Sequence, residues 1–228
     1  MINIDTRTQI TIPINKDLFP PNKFCLKIGQ FILLFVLLFM HIQAVAQEKL
    51  VKDIDFDGVK DTVYHDIKKS VIVCKLSTQK FRRLQSKPLG EMKYATSYGV
   101  HSSQNGFEFI IEFNRYGYAN QFRYDRNAKK IRLIGMRRRE SGLSSFDANG
   151  GSSVNLLTGD YIGNWQYNDV EHDKYLIEIP AIKTKMWFGK IYLDNFNEDI
   201  YDNYSSKCSA LFVEHKDLEI KRRNRTNQ

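Results

Sequence analysis

Residues 107–113 read Phe-Glu-Phe-Ile-Ile-Glu-Phe directly after Asn105-Gly106, and no other stretch limits the possible folds as much. Phe107, Phe109, Ile111 and Phe113 share one face at period two, with Glu108 and Glu112 on the other, which is the pattern of a half-buried strand. Asn-Gly ahead of such a run marks a tight turn, so the preceding strand is expected over Tyr94–Ser102. The same alternation of short apolar runs and turn signals fills most of the chain. Ser70–Ser77 is β-branched and reads as a strand. Tyr118–Tyr124 and Lys130–Met136 read as a hairpin around a turn at Asp125–Lys129. Asp160–Tyr167, Lys174–Ile179, Lys190–Leu193 and Ser209–Glu214 are further strand candidates. Residues 141–152 (SGLSSFDANGGS) read as the most mobile loop, residues 197–208 as one short helix, and residues 221–228 as a basic tail.

This pattern predicts an all-β fold: an antiparallel β-sandwich, a barrel or a small irregular propeller-like meander, with at most one or two short helices. The chain shows no fixed repeat period, which leaves the topology open. With 42% hydrophobic residues, including 15 Phe and 12 Tyr, there is enough apolar material for a core, which excludes global disorder.

Residues 1–46 have a different character. Phe31–Met40 is a charge-free apolar run of ten, preceded by Lys23 and Lys27 and followed by Ala44-Val45-Ala46. That order of charge, apolar run and small residues is expected of a secretory signal peptide, with the mature chain starting at Gln47. An uncleaved anchor is the alternative, since Ile28–Ala46 is just long enough to span a bilayer. Cys25 precedes the apolar run, which argues against a lipoprotein. The long stretch before the run suggests a start at Leu26, leaving residues 1–25 untranslated.

Losing residues 1–46 removes four cations (Arg7, Lys16, Lys23, Lys27) and two anions (Asp5, Asp17), so the net charge falls from +8 to +6. A basic exported chain suits anionic lipids, wall polymers or acidic proteins, and excludes nucleic acid as the expected partner. Cys74 and Cys208 then remain, in a compartment where disulfides form. They either pair, closing a long loop, or stay as two buried thiols.

Asp53-Ile-Asp55-Phe-Asp57-Gly58-Val59-Lys60-Asp61 places four carboxylates within nine residues, whose repulsion opposes a compact conformation unless a cation binds them. A hard divalent ion takes six to eight oxygens, and alternating Asp side chains can wrap it from several sides. Gly58 allows the sharp turn, and the Val59 carbonyl supplies a further ligand. The expected metal site is therefore Asp53, Asp55, Asp57, Val59 and Asp61, with Ca2+ fitting a flexible all-oxygen cage better than Mg2+. The bland alternative is a solvated acidic turn. An EF-hand does not fit, because its bidentate twelfth position is Tyr64 here.

A loop of this form running straight into a strand resembles the D-x-D-x-D-G-x-x-D calcium loops of integrin-type, FG-GAP and VCBS repeats. In that resemblance Asp61 bonds the ion directly. Together with the leader and the segment Phe122-Arg-Tyr124-Asp125 to Lys130-Ile131, the layout is also similar to periplasmic calcium-loop lysozyme inhibitors that act as immunity proteins. That second similarity covers residues 53–135 and carries over no inhibitory residue. The net charge of +6 also opposes encounter with a strongly basic lysozyme.

Other candidates are weaker. His65, His101, His172 and His215 show no metal-ligand spacing, although His172 with Glu171 and Asp173 could form a second weak site. Arg137-Arg138-Arg139-Glu140 reads as a solvated strand end rather than an anion patch. Tyr161, Trp165 and Tyr167 either line a binding face or point into the core, the commoner outcome. No nucleophile motif is present. The expectation is an exported, non-catalytic, calcium-binding protein of a bacterial envelope (periplasm or cell surface) with a protein partner such as a cell-wall hydrolase. The alternatives are a polysaccharide-acting enzyme using carboxylates such as Asp147, Asp160 and Asp169, or a calcium-stabilised adhesion module.

Overall fold

The computed structural model describes residues 48–90, 92–142, 148–169 and 174–226. Gln47–Gln228 forms one compact unit. The leader, Cys25, Asp147 and the His172 cluster lie outside the described residues.

Two antiparallel sheets make up the unit. The smaller contains Lys49–Lys52 (β1), Asp61–Asp66 (β2), Val71–Lys75 (β3) and Arg83–Gln85 (β4), paired in sequence order. The larger contains Ser97–Ser103 (β5), Gly106–Glu112 (β6), Tyr116–Asp125 (β7), Lys130–Ser141 (β8), Asn149–Asn155 (β9), Asp160–Asp169 (β10), Lys174–Glu178 (β11) and Ile182–Lys185 (β12). From β5 to β11 each strand pairs with its predecessor, and β12 shares the outer edge of β10 with β11. The all-β expectation holds in this meander form. Neither sheet closes, so the barrel alternative is not realised.

The alternation in β6 has the expected consequence. Phe107, Phe109 and Ile111 are fully buried, and Phe107 stacks on Phe122 of β7 at 5.1 Å between ring centroids. Phe113 falls past the strand end and stacks on Tyr116, the first residue of β7. Gly106 is required by contact rather than conformation, since a Cβ there would lie 2.0 Å from the Phe122 carbonyl oxygen. In the β7–β8 hairpin Asp125 Oδ1 accepts the Asn127 and Ala128 N–H groups, and Lys129 takes a left-handed φ of 52° to close the turn.

The two sheets meet through β1 and β2 against β5 and β6. The His65 ring packs on Tyr98 and Phe109 at 5.0 and 5.3 Å, and Lys52 Nζ donates to Ser102 Oγ at 3.2 Å.

The remaining core face of the large sheet is covered by a helix, and here the sequence reading needs correction. Instead of a short helix, a strand and a frayed tail, Glu198–Thr226 is one helix of 29 residues (α1). Tyr201, Tyr204, Cys208 and Phe212 are buried at helical spacing. Tyr201 packs on Tyr118, and Phe212 on Trp165. The Tyr204 hydroxyl and Ser152 Oγ lie 2.8 Å apart. Near the C-terminus buried Glu219 accepts both Arg222 and Arg223. Those guanidinium bonds hold its carboxyl down at about 2.

Three other corrections follow from pairing. Residues 149–152 of the expected mobile loop are strand, because Gly150 and Gly151 let β8 and β10 approach on both sides: a Cβ on Gly150 would meet the Asn164 carbonyl oxygen at 2.1 Å. Lys190–Leu193 makes only an isolated bridge, Arg132 to Tyr192, before a 3-10 turn. Cys74 and Cys208 are both free and buried, one in β3 and the other on α1 beside Ser152 at 3.3 Å. The Cys74–Cys208 bridge is therefore not formed, and burial pushes both thiols up, away from the reactive thiolate.

Candidate metal centre

The acidic loop joins β1 to β2 at one corner of the small sheet. It turns sharply because Phe56 and Gly58 both adopt left-handed backbone, with φ of 64° and 88°. Carboxylates hold it in shape by accepting backbone N–H groups. Asp53 Oδ1 accepts Phe56 and Asp57, and its Oδ2 accepts Gly58 at 3.0 Å. Asp61, the first residue of β2 and fully buried, accepts Ile54 at 2.7 Å and Asp55 at 3.2 Å through Oδ2. Its Oδ1 accepts the Ser77 N–H at 2.7 Å.

Asp53, Asp55 and Asp61 each bring an oxygen within 4.8 Å of the others, close enough to hold one metal ion. Each carboxylate has about four lone-pair sites, so accepting N–H bonds leaves room for a cation. Asp55 carries the test of fit. It is 5% exposed, its Oδ2 accepts the Thr78 hydroxyl, and its buried Oδ1 has no hydrogen-bond partner. A buried carboxylate oxygen without a donor is costly unless something cationic faces it. Burial is the largest cause raising its pKa, and repulsion from Asp61 and Asp57 adds to it; the Thr78 hydrogen bond opposes them. These donors fit a hard cation: carboxylate oxygens without nitrogen or sulfur.

Two expected ligands stand differently. Asp57 is outside the converging group: its Oδ2 accepts the Ser77 hydroxyl at 2.6 Å and its Oδ1 the Val59 N–H at 2.8 Å. Those bonds hold its carboxyl below the usual range. Val59 is exposed and enters through that N–H. The sequence reading also missed Ser77 and Thr78, which follow β3 and tie three of the four carboxylates to the next turn. Their signal was legible, because Ser-Thr straight after a strand often donates to nearby acceptors.

The other candidates resolve into structural roles. Arg137 pairs with Glu108 at 2.6 Å, and Arg139 with Glu112. Arg138 is buried, joining Glu140 and α1 at Ser205 O and Ser209 Oγ. Tyr161, Trp165 and Tyr167 point into the core, with 2% exposure or less. Asp160 is bound to Lys185 at 2.6 Å, and this contact holds its carboxyl low, unsuited to a general acid. His65 is buried, which depresses its pKa and favours the neutral ring. Among the described residues no helix is long and apolar enough to cross a membrane.

No known protein family matches the chain, and neither does any curated protein or solved structure. The reading of function therefore rests on the site itself.

Proposed function

We propose that the protein is an exported, calcium-stabilised, non-catalytic binding protein of a bacterial envelope, whose partner is another protein. One observation carries the reading: the convergence of Asp53, Asp55 and Asp61 around the partnerless, buried Asp55 Oδ1. A cation there offsets the repulsion of three carboxylates and locks the loop onto Ser77 and Thr78. Calcium is the ion of choice because the donors are oxygens on an irregular loop, and Mg2+ demands a stricter octahedron. The acidic corner stabilises structure in this reading, and binding is left to the surface.

Export follows from the apolar run at Phe31–Met40 and the small residues at Ala44–Ala46. A cell-wall hydrolase is the partner class to test first, on the strength of the layout resemblance. The experiment is capture of purified wall hydrolases on the immobilised protein, in calcium and in chelator, with lysis of cell-wall substrate as the second readout. Calcium-dependent capture with slowed lysis supports the reading. Lysis unaffected by a stoichiometric excess of protein in calcium rejects the inhibitor role.

A further inference from the structure

The face of the β7–β8 hairpin turned away from the core holds a charge cluster that the metal loop does not explain. Arg123 and Arg132 are direct partners across β7 and β8, so two guanidinium groups stand on one face at adjacent positions. Like charges directly opposite on a hairpin repel. Arg132 Nε is buried with no acceptor. Among the described residues neither side chain has an ion pair to relieve the repulsion, in contrast to Arg137 and Arg139 further along β8.

A third cation, Arg126, projects from the hairpin turn and stacks over the Phe56 ring at 5.4 Å. Together these residues line a cleft of about 630 Å3, with Asn105, Asn127 and Tyr124 on its walls. Asp125 is the carboxylate in the lining, and its Oδ1 is occupied by the turn N–H groups of Asn127 and Ala128. The cleft thus carries three guanidinium charges against one carboxylate, an excess of two positive charges.

We propose that this cleft binds a phosphomonoester-class dianion, gripped by Arg123, Arg132 and Arg126. Two facing guanidinium forks suit the paired oxygens of a phosphoryl group. The charge excess matches a dianion better than a single carboxylate. The two asparagine side chains add neutral donors. The volume falls in the range of small-molecule sites, about 300–1,000 Å3, and exceeds a bare phosphate, so the phosphoryl group arrives on a small carrier. A soluble sugar or polyol phosphate and a lipid headgroup ending in a phosphomonoester share that chemistry. Phe56, held in left-handed backbone by the acidic loop, forms the far wall. The proposal does not depend on the ion or on a protein partner.

The test uses the full chain in titration calorimetry with glycerol 3-phosphate against glycerol at matched ionic strength. Sedimentation with phosphatidic acid vesicles against phosphatidylcholine vesicles forms the second arm. Arg123→Gln and Arg132→Gln are compared with wild type in both, and in ligand-free melts. The expected result is binding of the phosphorylated probe, weakened at least tenfold in each variant, with ligand-free variants melting at or above wild type because the repulsion is gone. Binding in the soluble arm assigns a dissolved ester, and binding confined to vesicles assigns a membrane headgroup. The proposal is overturned if neither probe binds better than its uncharged control, or if both variants bind as wild type does. It also fails if the variants melt well below wild type without ligand, because the arginines would then be structural.

Discussion

Replacing Asp55 by Asn separates two consequences of the same buried carboxylate. In chelator Asp55 is buried and close to Asp61 and Asp57, and its Oδ1 has no donor. Its folded pKa is raised above the ordinary 3.8. The folded state therefore holds the Asp55 proton more tightly than the unfolded chain does. The associated stability is present below 3.8 and lost as pH rises through the raised folded value, so ionising Asp55 in the folded state opposes folding. Asn removes the charge and keeps a carbonyl to accept the Thr78 hydroxyl, so Asp55→Asn should melt at or above wild type in chelator. Calcium should reverse the order. An ion that binds only the folded state, at a hundredfold excess over its Kd, adds about 2.7 kcal/mol. For a compact unit of about 180 residues, each kcal/mol is worth about 2–4 °C. Wild type should then rise by about 5–11 °C, and the variant, with one carboxylate of three neutralised, by much less. Calorimetric melts of both proteins in calcium, magnesium and chelator decide the matter. An equal calcium-induced rise in the two proteins would refute the site. A variant melting far below wild type in chelator would refute the argument about the orphaned oxygen.

Three further outcomes follow from the same geometry. Asp61→Ala strands the buried Ile54 and Asp55 N–H donors and the half-buried one of Ser77 and should cost at least about 3 kcal/mol in urea melts, even in chelator; Asp57→Ala, on the exposed side of the loop, should shift the melt clearly less. His65 has a pKa held below 6.5 by burial, so its contribution is present above 6.5 and lost as pH falls below it. Against His65→Gln, wild type should lose more stability between pH 7 and pH 5, and parallel curves would show that the ring is not the source. Phe212→Ala empties the contact with Trp165 and should cost about 3–5 kcal/mol. Leu218→Ala, at an exposed position of the same helix, should stay within about 0.5 kcal/mol.

Much of the sheet was determined by the sequence alone, because a strand's facing pattern is local. Phe107, Phe109 and Ile111 could share a face only at period two, and Asn105-Gly106 fixed where the chain turned. The aspartate series was local in the same way, with Gly58 marking the backbone that permits the loop. What tertiary structure decided depends on partners distant in the chain. Ser209–Glu214 contains a short apolar run that suits strand or helix equally, and Trp165, Ser152 and Tyr118 of the large sheet select the helix by giving Tyr201, Tyr204, Cys208 and Phe212 one face to cover. Gly150 and Gly151 read as a loop until β8 and β10 close on both sides of them. Five candidate ligands within nine residues could not be ranked by spacing. Ser77 and Thr78, brought in by β3, draw Asp57 outward and leave Asp55 buried with an open oxygen. The facing of Arg123 and Arg132 likewise exists only through the register of β7 on β8. Hydrogen-bond register and burial are properties of the assembled sheets, and the chain supplies only the pattern they act on.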